Sequence, residues 1–228
     1  MIYVNGDSHS AGADIVEGLN FANDDRHMLI YGKKPHPKLI PLTFGYKFAQ
    51  HKNQPLYCDA ISGSSNDRIL RTSKQFVSKK TDCFVLIGWS TWEREEWLDG
   101  ETFVQITASG IDSVPEDMVK DYMSWVIRQD NNELRRKEDY WHDTIWKFHC
   151  ELQQNNVKHL FFNTYSHFGN IENRKDWNGS YIDPYNPNET YYNYLKHSGI
   201  SPVFNYHYGE DGHAKWSKRL INFISENT

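Results

Sequence analysis

Residues 83–88, Cys-Phe-Val-Leu-Ile-Gly, form an unbroken apolar run bounded by polar residues. Successive side chains of a strand point to opposite faces, so a strand with no polar position has to be covered on both. That favours a parallel sheet between two layers of helices over a half-solvated antiparallel one.

The rest of the chain supports this reading. Short apolar strands are predicted at 2–5, 56–61 and 157–163, and they alternate with helical patterns at 43–51, 64–78, 131–155 and 214–225. In the longest helix Leu134, Trp141, Ile145, Phe148 and Leu152 form one stripe. Residues 10–40 read as a long loop with some helix. Two stretches break the alternation, 89–130 and 164–206, and both read as insertions. The expectation is one α/β domain over 1–228, a three-layer α/β/α sandwich with a central, mostly parallel sheet and flavodoxin-like winding.

Composition narrows the function classes. The chain has 228 residues, of which 38% are hydrophobic and 24% charged, as in a soluble globular protein. A net charge of -5 gives no general attraction to nucleic acid or anionic lipid. No apolar stretch approaches the roughly 20 residues that span a bilayer. The N-terminus has no basic segment followed by an apolar one, so a cytoplasmic protein is expected, with virion association as a further destination. Cys58, Cys83 and Cys150 are far apart, and two of them lie in apolar strand-like runs, which points to buried free thiols rather than a disulfide framework or a zinc site. The histidines lack metal-site spacing, and neither a metal nor a cofactor is expected. Nucleotide binding is disfavoured, because no Gly-x-Gly-x-x-Gly or P-loop follows the first strand.

Three segments carry chemistry. In Asn5-Gly6-Asp7-Ser8-His9 a strand ends at a glycine, and Ser8 follows where a helix begins. There its Oγ and backbone N–H both face the carboxyl edge of the sheet, where open α/β sheets place ligands. Helix capping by Asp7 and Ser8 is the plainer alternative. Gly63 again lies between a strand and a helix, and its N–H is a candidate oxyanion donor. In Gly209-Glu210-Asp211-Gly212-His213 a carboxylate just before a histidine orients the imidazole; the alternative is an Asp-Gly turn.

Together, Gly6-Asp7-Ser8, Gly63 and Asp211-Gly212-His213 resemble the motifs of the SGNH hydrolase superfamily, also called GDSL esterases, over nearly the whole chain. The resemblance implies a metal-independent serine esterase with the triad Ser8, His213 and Asp211, Glu210 being the alternative acid. It implies oxyanion donors at Ser8 and Gly63. The family's asparagine after the third strand is missing here, where the chain reads Ile87-Gly88-Trp89-Ser90-Thr91. Ser90, Thr91 and, from the neighbouring loop, Asn66 are the candidates to stand in; losing one such donor costs about 3–4 kcal/mol of transition-state stabilisation.

His9, Trp89, Ser90 and Thr91 are candidates to line the substrate, although His9 at a helix start also reads as a surface residue. Glu93 to Glu96, with Arg94 among them, reads as a solvated charge run. The aromatic content is high, with 8 Trp and 14 Tyr. Core or interface packing is one use for these rings, and stacking on sugars is the other. The expected substrate is an acyl ester, O-acetyl in particular, of a carbohydrate or small molecule. The competing reading is a catalytically weak or inactive binding or structural protein on the same fold, similar to phage-encoded members.

Overall fold

The computed structural model describes residues 1–16, 34–108, 110–111 and 114–227. Most of the loop expected at 10–40 lies outside the described residues. Strands β1 (Ile2–Asn5), β2 (Leu56–Cys58), β3 (Phe84–Trp89) and β6 (Lys158–Asn163) make one parallel sheet in the order β2-β1-β3-β6. Strands β4 (Glu95–Asp99) and β5 (Thr102–Ile106) pair separately as an antiparallel hairpin. The helices are α1 (Ser8–Ala11), α2 (Phe44–His51), α3 (Asn66–Val77), α4 (Val119–Ile127), α5 (Asn131–Gln154), α6 (Tyr191–His197) and α7 (Glu210–Glu226).

The period-2 alternation of the strands sorts their side chains between two helical layers. Tyr3, Val85, Ile87 and Phe161 face one way, against Ile69 of α3 and Trp141, Ile145, Phe148 and Leu152 of α5. Ile2, Val4, Leu86, Leu160 and Phe162 face the other, against Phe44 and Phe48 of α2 and Trp216 and Leu220 of α7. The protein is thus a three-layer α/β/α sandwich, and the apolar run at 83–88 supplies its β3, which begins and ends one residue later. Strand β2 is shorter than the expected 56–61. The contact with β1 nonetheless continues irregularly, because the Asp59 and Ile61 N–H groups donate to Val4 and Gly6 carbonyls.

Because β2 and β3 lie on opposite sides of β1, the sheet changes direction of winding there. Such a switch point opens a crevice at the carboxyl ends of the strands. The insertion 89–130 holds the β4–β5 hairpin and α4 around a small core of Ile106, Tyr122 and Trp125. Cys58, Cys83 and Cys150 are all free thiols, but of the three expected to be buried only Cys83 is; Cys58 and Cys150 are half-buried.

The charge run is organised rather than solvated. Glu96 forms a two-pronged pair with Arg71 of α3, both contacts 2.8 Å. Its neighbour Asp67 is desolvated by burial and faces Glu95 and Glu96, which push its carboxyl up to about 6 from 3.8. A group whose folded pKa is raised favours folding fully below its unfolded value, and that contribution disappears as pH climbs through about 6. At 1.36 kcal/mol per unit the cost of charging Asp67 in the fold is at most about 3 kcal/mol. Asp67→Asn is therefore expected to raise Tm by several degrees at pH 8 and to match the wild type at pH 4, by scanning calorimetry at both pH values.

Candidate active site

Gly6 makes the exit from β1 possible. Its φ of 152° is open to glycine, and a Cβ there would lie 2.2 Å from Ser10 Oγ. The turn leads straight into α1, whose first residue is Ser8 and whose N-cap is Asp7, accepting from His9 N. Gly88 on β3 lets this turn sit close, since a Cβ there would meet Ser10 Oγ and the Phe162 ring, each at 2.7 Å.

Ser8 Oγ lies 2.9 Å from Nε2 of His207, and Nδ1 of the same ring lies 2.7 Å from Asp14 Oδ2. All three residues are buried. An ionised carboxylate only accepts, so Asp14 selects the tautomer with hydrogen on Nδ1. Nε2 is then left to accept the Ser8 hydroxyl proton, the arrangement of an activated serine nucleophile.

Local structure explains how both partners arrive there. Asp14 follows the left-handed C-cap Gly12 and itself has φ of 58°, a conformation that aspartate tolerates better than most residues. The chain doubles back after α1 and brings Asp14 beside the turn it has just left. His207 ends a tight turn in which its N–H donates to Phe204 O at 2.8 Å, with Asn205 at φ 51°.

The imidazole on Ser8 is therefore His207, which corrects the expectation for His213. Helix α7 begins at Glu210, four residues before the predicted start, so His213 lies inside its first turn and points into the core. There His213 Nδ1 accepts from Phe44 N at 3.2 Å, satisfying an N–H at the start of α2, and Nε2 lies 3.4 Å from the Tyr191 hydroxyl. Burial pushes its pKa down to about 3, so it is a neutral core histidine. Among the described residues neither candidate acid orients a histidine. Asp211 Oδ1 accepts from Gly212 N, and Glu210 pairs with Lys47 at 2.8 Å.

Among the oxyanion candidates, Gly63 sits after β2 with φ of 80° and nothing within 4 Å of where a Cβ would be. A ligand can therefore come close to its Cα. Asn66 is occupied instead: its Nδ2 donates to Ser90 O at 3.1 Å and its Oδ1 accepts from Ser90 N at 2.7 Å. Its amide ties the start of α3 to the end of β3.

The lining candidates divide. Trp89 is fully buried, edge-on to Phe148 and Phe161, and belongs to the core rather than to a substrate surface. Trp92 stacks on Phe168 at 4.7 Å, again as core. Ser90 is buried, with its hydroxyl on Asp7 Oδ2, and Thr91 donates to Glu93. His9 is buried too, its ring 5.1 Å from that of His207 and 5.2 Å from Tyr191. Burial lowers its pKa to about 4. It therefore adds no positive charge beside the His207 imidazole. The exposed rings near the site are ones the sequence did not single out. Tyr206 lies 4.7 Å from the His207 ring, and Tyr165 lies 4.7 Å from Tyr192.

Among the described residues no group of three or more His, Cys, Asp or Glu side chains is placed to hold a metal ion, and no helix is long and apolar enough to cross a membrane. No family model, no curated protein and no solved structure matches the chain.

Proposed function

We propose that the protein is a serine acyl-ester hydrolase of the SGNH type, with Ser8 as nucleophile, His207 as general base and acid, and Asp14 as the residue that orients His207. The observation that carries this is the continuous chain from Ser8 Oγ through His207 to Asp14, at 2.9 and 2.7 Å. Ser8 Oγ attacks the acyl carbonyl carbon while its proton passes to His207 Nε2. The Ser8 and Gly63 N–H groups receive the oxyanion. The tetrahedral adduct collapses, and the departing alkoxide takes the proton from His207. A water then gives a proton to His207 and attacks the acyl-Ser8, and as the acyl–Oγ bond breaks His207 returns that proton to Ser8 Oγ, releasing the carboxylic acid.

The exposed rings of Tyr206 and Tyr165 support an alcohol portion with a face to stack on, such as an O-acetylated sugar. A second reading, a weakly active or inactive binder on this fold, draws on Asn66, which is buried and already has one of its two Nδ2 hydrogens on Ser90 O.

A fluorophosphonate probe separates the two. Attack by Ser8 Oγ on phosphorus expels fluoride and leaves a phosphonyl mass on the peptide containing Ser8, and Ser8→Ala is expected to abolish the label. Folded wild-type protein that takes no label between pH 6 and 9 overturns the enzyme reading and favours the binder.

A further inference from the structure

We infer that the β4–β5 insertion is a buttress for the oxyanion loop, with Arg94 as the positioning residue that locks the loop carrying Gly63 to the nucleophile turn. The inference rests on the hydrolase reading above and concerns which residues hold its oxyanion donors in place.

Arg94 leaves the end of β3 just before the hairpin and turns its guanidinium inward. Nη1 lies 3.0 Å from Ser90 Oγ, 3.4 Å from Ser64 O and 3.6 Å from Asp7 Oδ2. One nitrogen thus touches the loops after β1, β2 and β3. Ser64 is the residue next to Gly63, and Asp7 is the residue before Ser8, so the groups it joins flank both proposed oxyanion donors. Asp7 is the node of this network. Its Oδ2 accepts from Ser90 Oγ and from Thr164 Oγ1 after β6, both at 3.0 Å, which brings in the fourth parallel strand.

A second contact from the insertion acts on the same loop. Gln105 of β5 accepts from Ser65 N at 2.8 Å through Oε1 and donates to Glu96 at 2.8 Å through Nε2. Glu96 is in turn fixed by Arg71 of α3. Ser64 and Ser65 are therefore held from the hairpin side by a cation and an amide. Gly63 has no side chain to anchor it and open space where a Cβ would be, and a donor there is useful only if it is preorganised. With Asn66 engaged by Ser90, the demand on the two backbone donors is greater.

The test uses the full chain and p-nitrophenyl acetate. Arg94→Ala is expected to lower kcat about 10- to 100-fold with KM within about twofold, because the oxyanion forms after binding. Millimolar guanidinium is expected to restore part of the rate, and Arg94→Lys to retain part of it, since an ammonium keeps the charge without the planar fork. Gln105→Ala, which leaves the cation in place, is expected to lower kcat in the same sense by a smaller factor and serves as the readout if Arg94→Ala does not fold. Unchanged kcat in folded Arg94→Ala overturns the inference. So does a loss matched by a fall in Tm, with no rescue by guanidinium and none by lysine. Absence of fluorophosphonate labelling in the wild type sinks the hydrolase reading itself, whereas normal labelling with these outcomes sinks the buttress alone.

Discussion

His207→Ala is expected to lower kcat/KM for p-nitrophenyl acetate by about 10³- to 10⁶-fold, the range in which removing the base of a serine triad falls. Without the Nε2 acceptor at 2.9 Å, the Ser8 hydroxyl keeps its proton and is a poor nucleophile. The informative control is His213→Ala. His213 accepts the Phe44 N–H and packs face-on against the Phe44 ring at 5.5 Å, so its removal strands a buried donor at the start of α2. That costs roughly 1–3 kcal/mol of stability and leaves the rate per folded molecule within a few-fold of wild type. Steady-state kinetics beside thermal melts read the two apart. The reverse pattern, with activity dependent on His213 and indifferent to His207, would falsify the triad described above.

The layer order is readable in the sequence because burial on a sheet is a local property: alternate residues of 2–5, 83–88 and 157–163 are apolar whichever face they meet. Ser8 is legible for the same reason, since a strand, a glycine and a hydroxyl in succession define a strand-to-helix turn without reference to anything distant. The histidine is not legible in that way. With 11 histidines in the chain, choosing one depends on where the last helix begins. Read as a turn, Glu210-Asp211-Gly212 puts His213 just ahead of the helix. Read as a first turn, its two carboxylates sit where the helix dipole favours them, the helix begins after Gly209, and the histidine before it is His207. That signal is present in the sequence, but the likeness of Asp211-Gly212-His213 to the SGNH motif points to the other histidine. Asp14 offers less, because its partner lies 193 positions away and only the fold brings them together. The aromatics are ambiguous for a different reason. Trp89 and Tyr206 have the same chemistry, and their roles are separated only by which of them the sheet and helices cover.

The acid is where the geometry makes its most demanding claim. Asp14→Asn is expected to lower kcat by about 10³- to 10⁴-fold with little change in KM, because the carboxylate touches His207 and not the substrate. Asparagine keeps the size of the side chain and tolerates φ of 58°, so the loop keeps its shape. It can, however, turn its NH₂ toward Nδ1, which favours the tautomer with hydrogen on Nε2 and presents Ser8 with a donor instead of an acceptor. An amide also cannot balance the imidazolium that forms as the serine attacks. Asp14→Ala is a poorer test, since alanine resists the left-handed backbone by about 1–2 kcal/mol and would disturb the loop and the charge at once. Asp211→Asn and Glu210→Gln are expected to leave kcat unchanged, as Asp211 accepts from Gly212 N, Glu210 pairs with Lys47, and among the described residues neither bonds to a histidine. A loss in either of those variants comparable to that in Asp14→Asn would move the acid back to the start of α7 and take the pairing of Asp14 with His207 out of the mechanism.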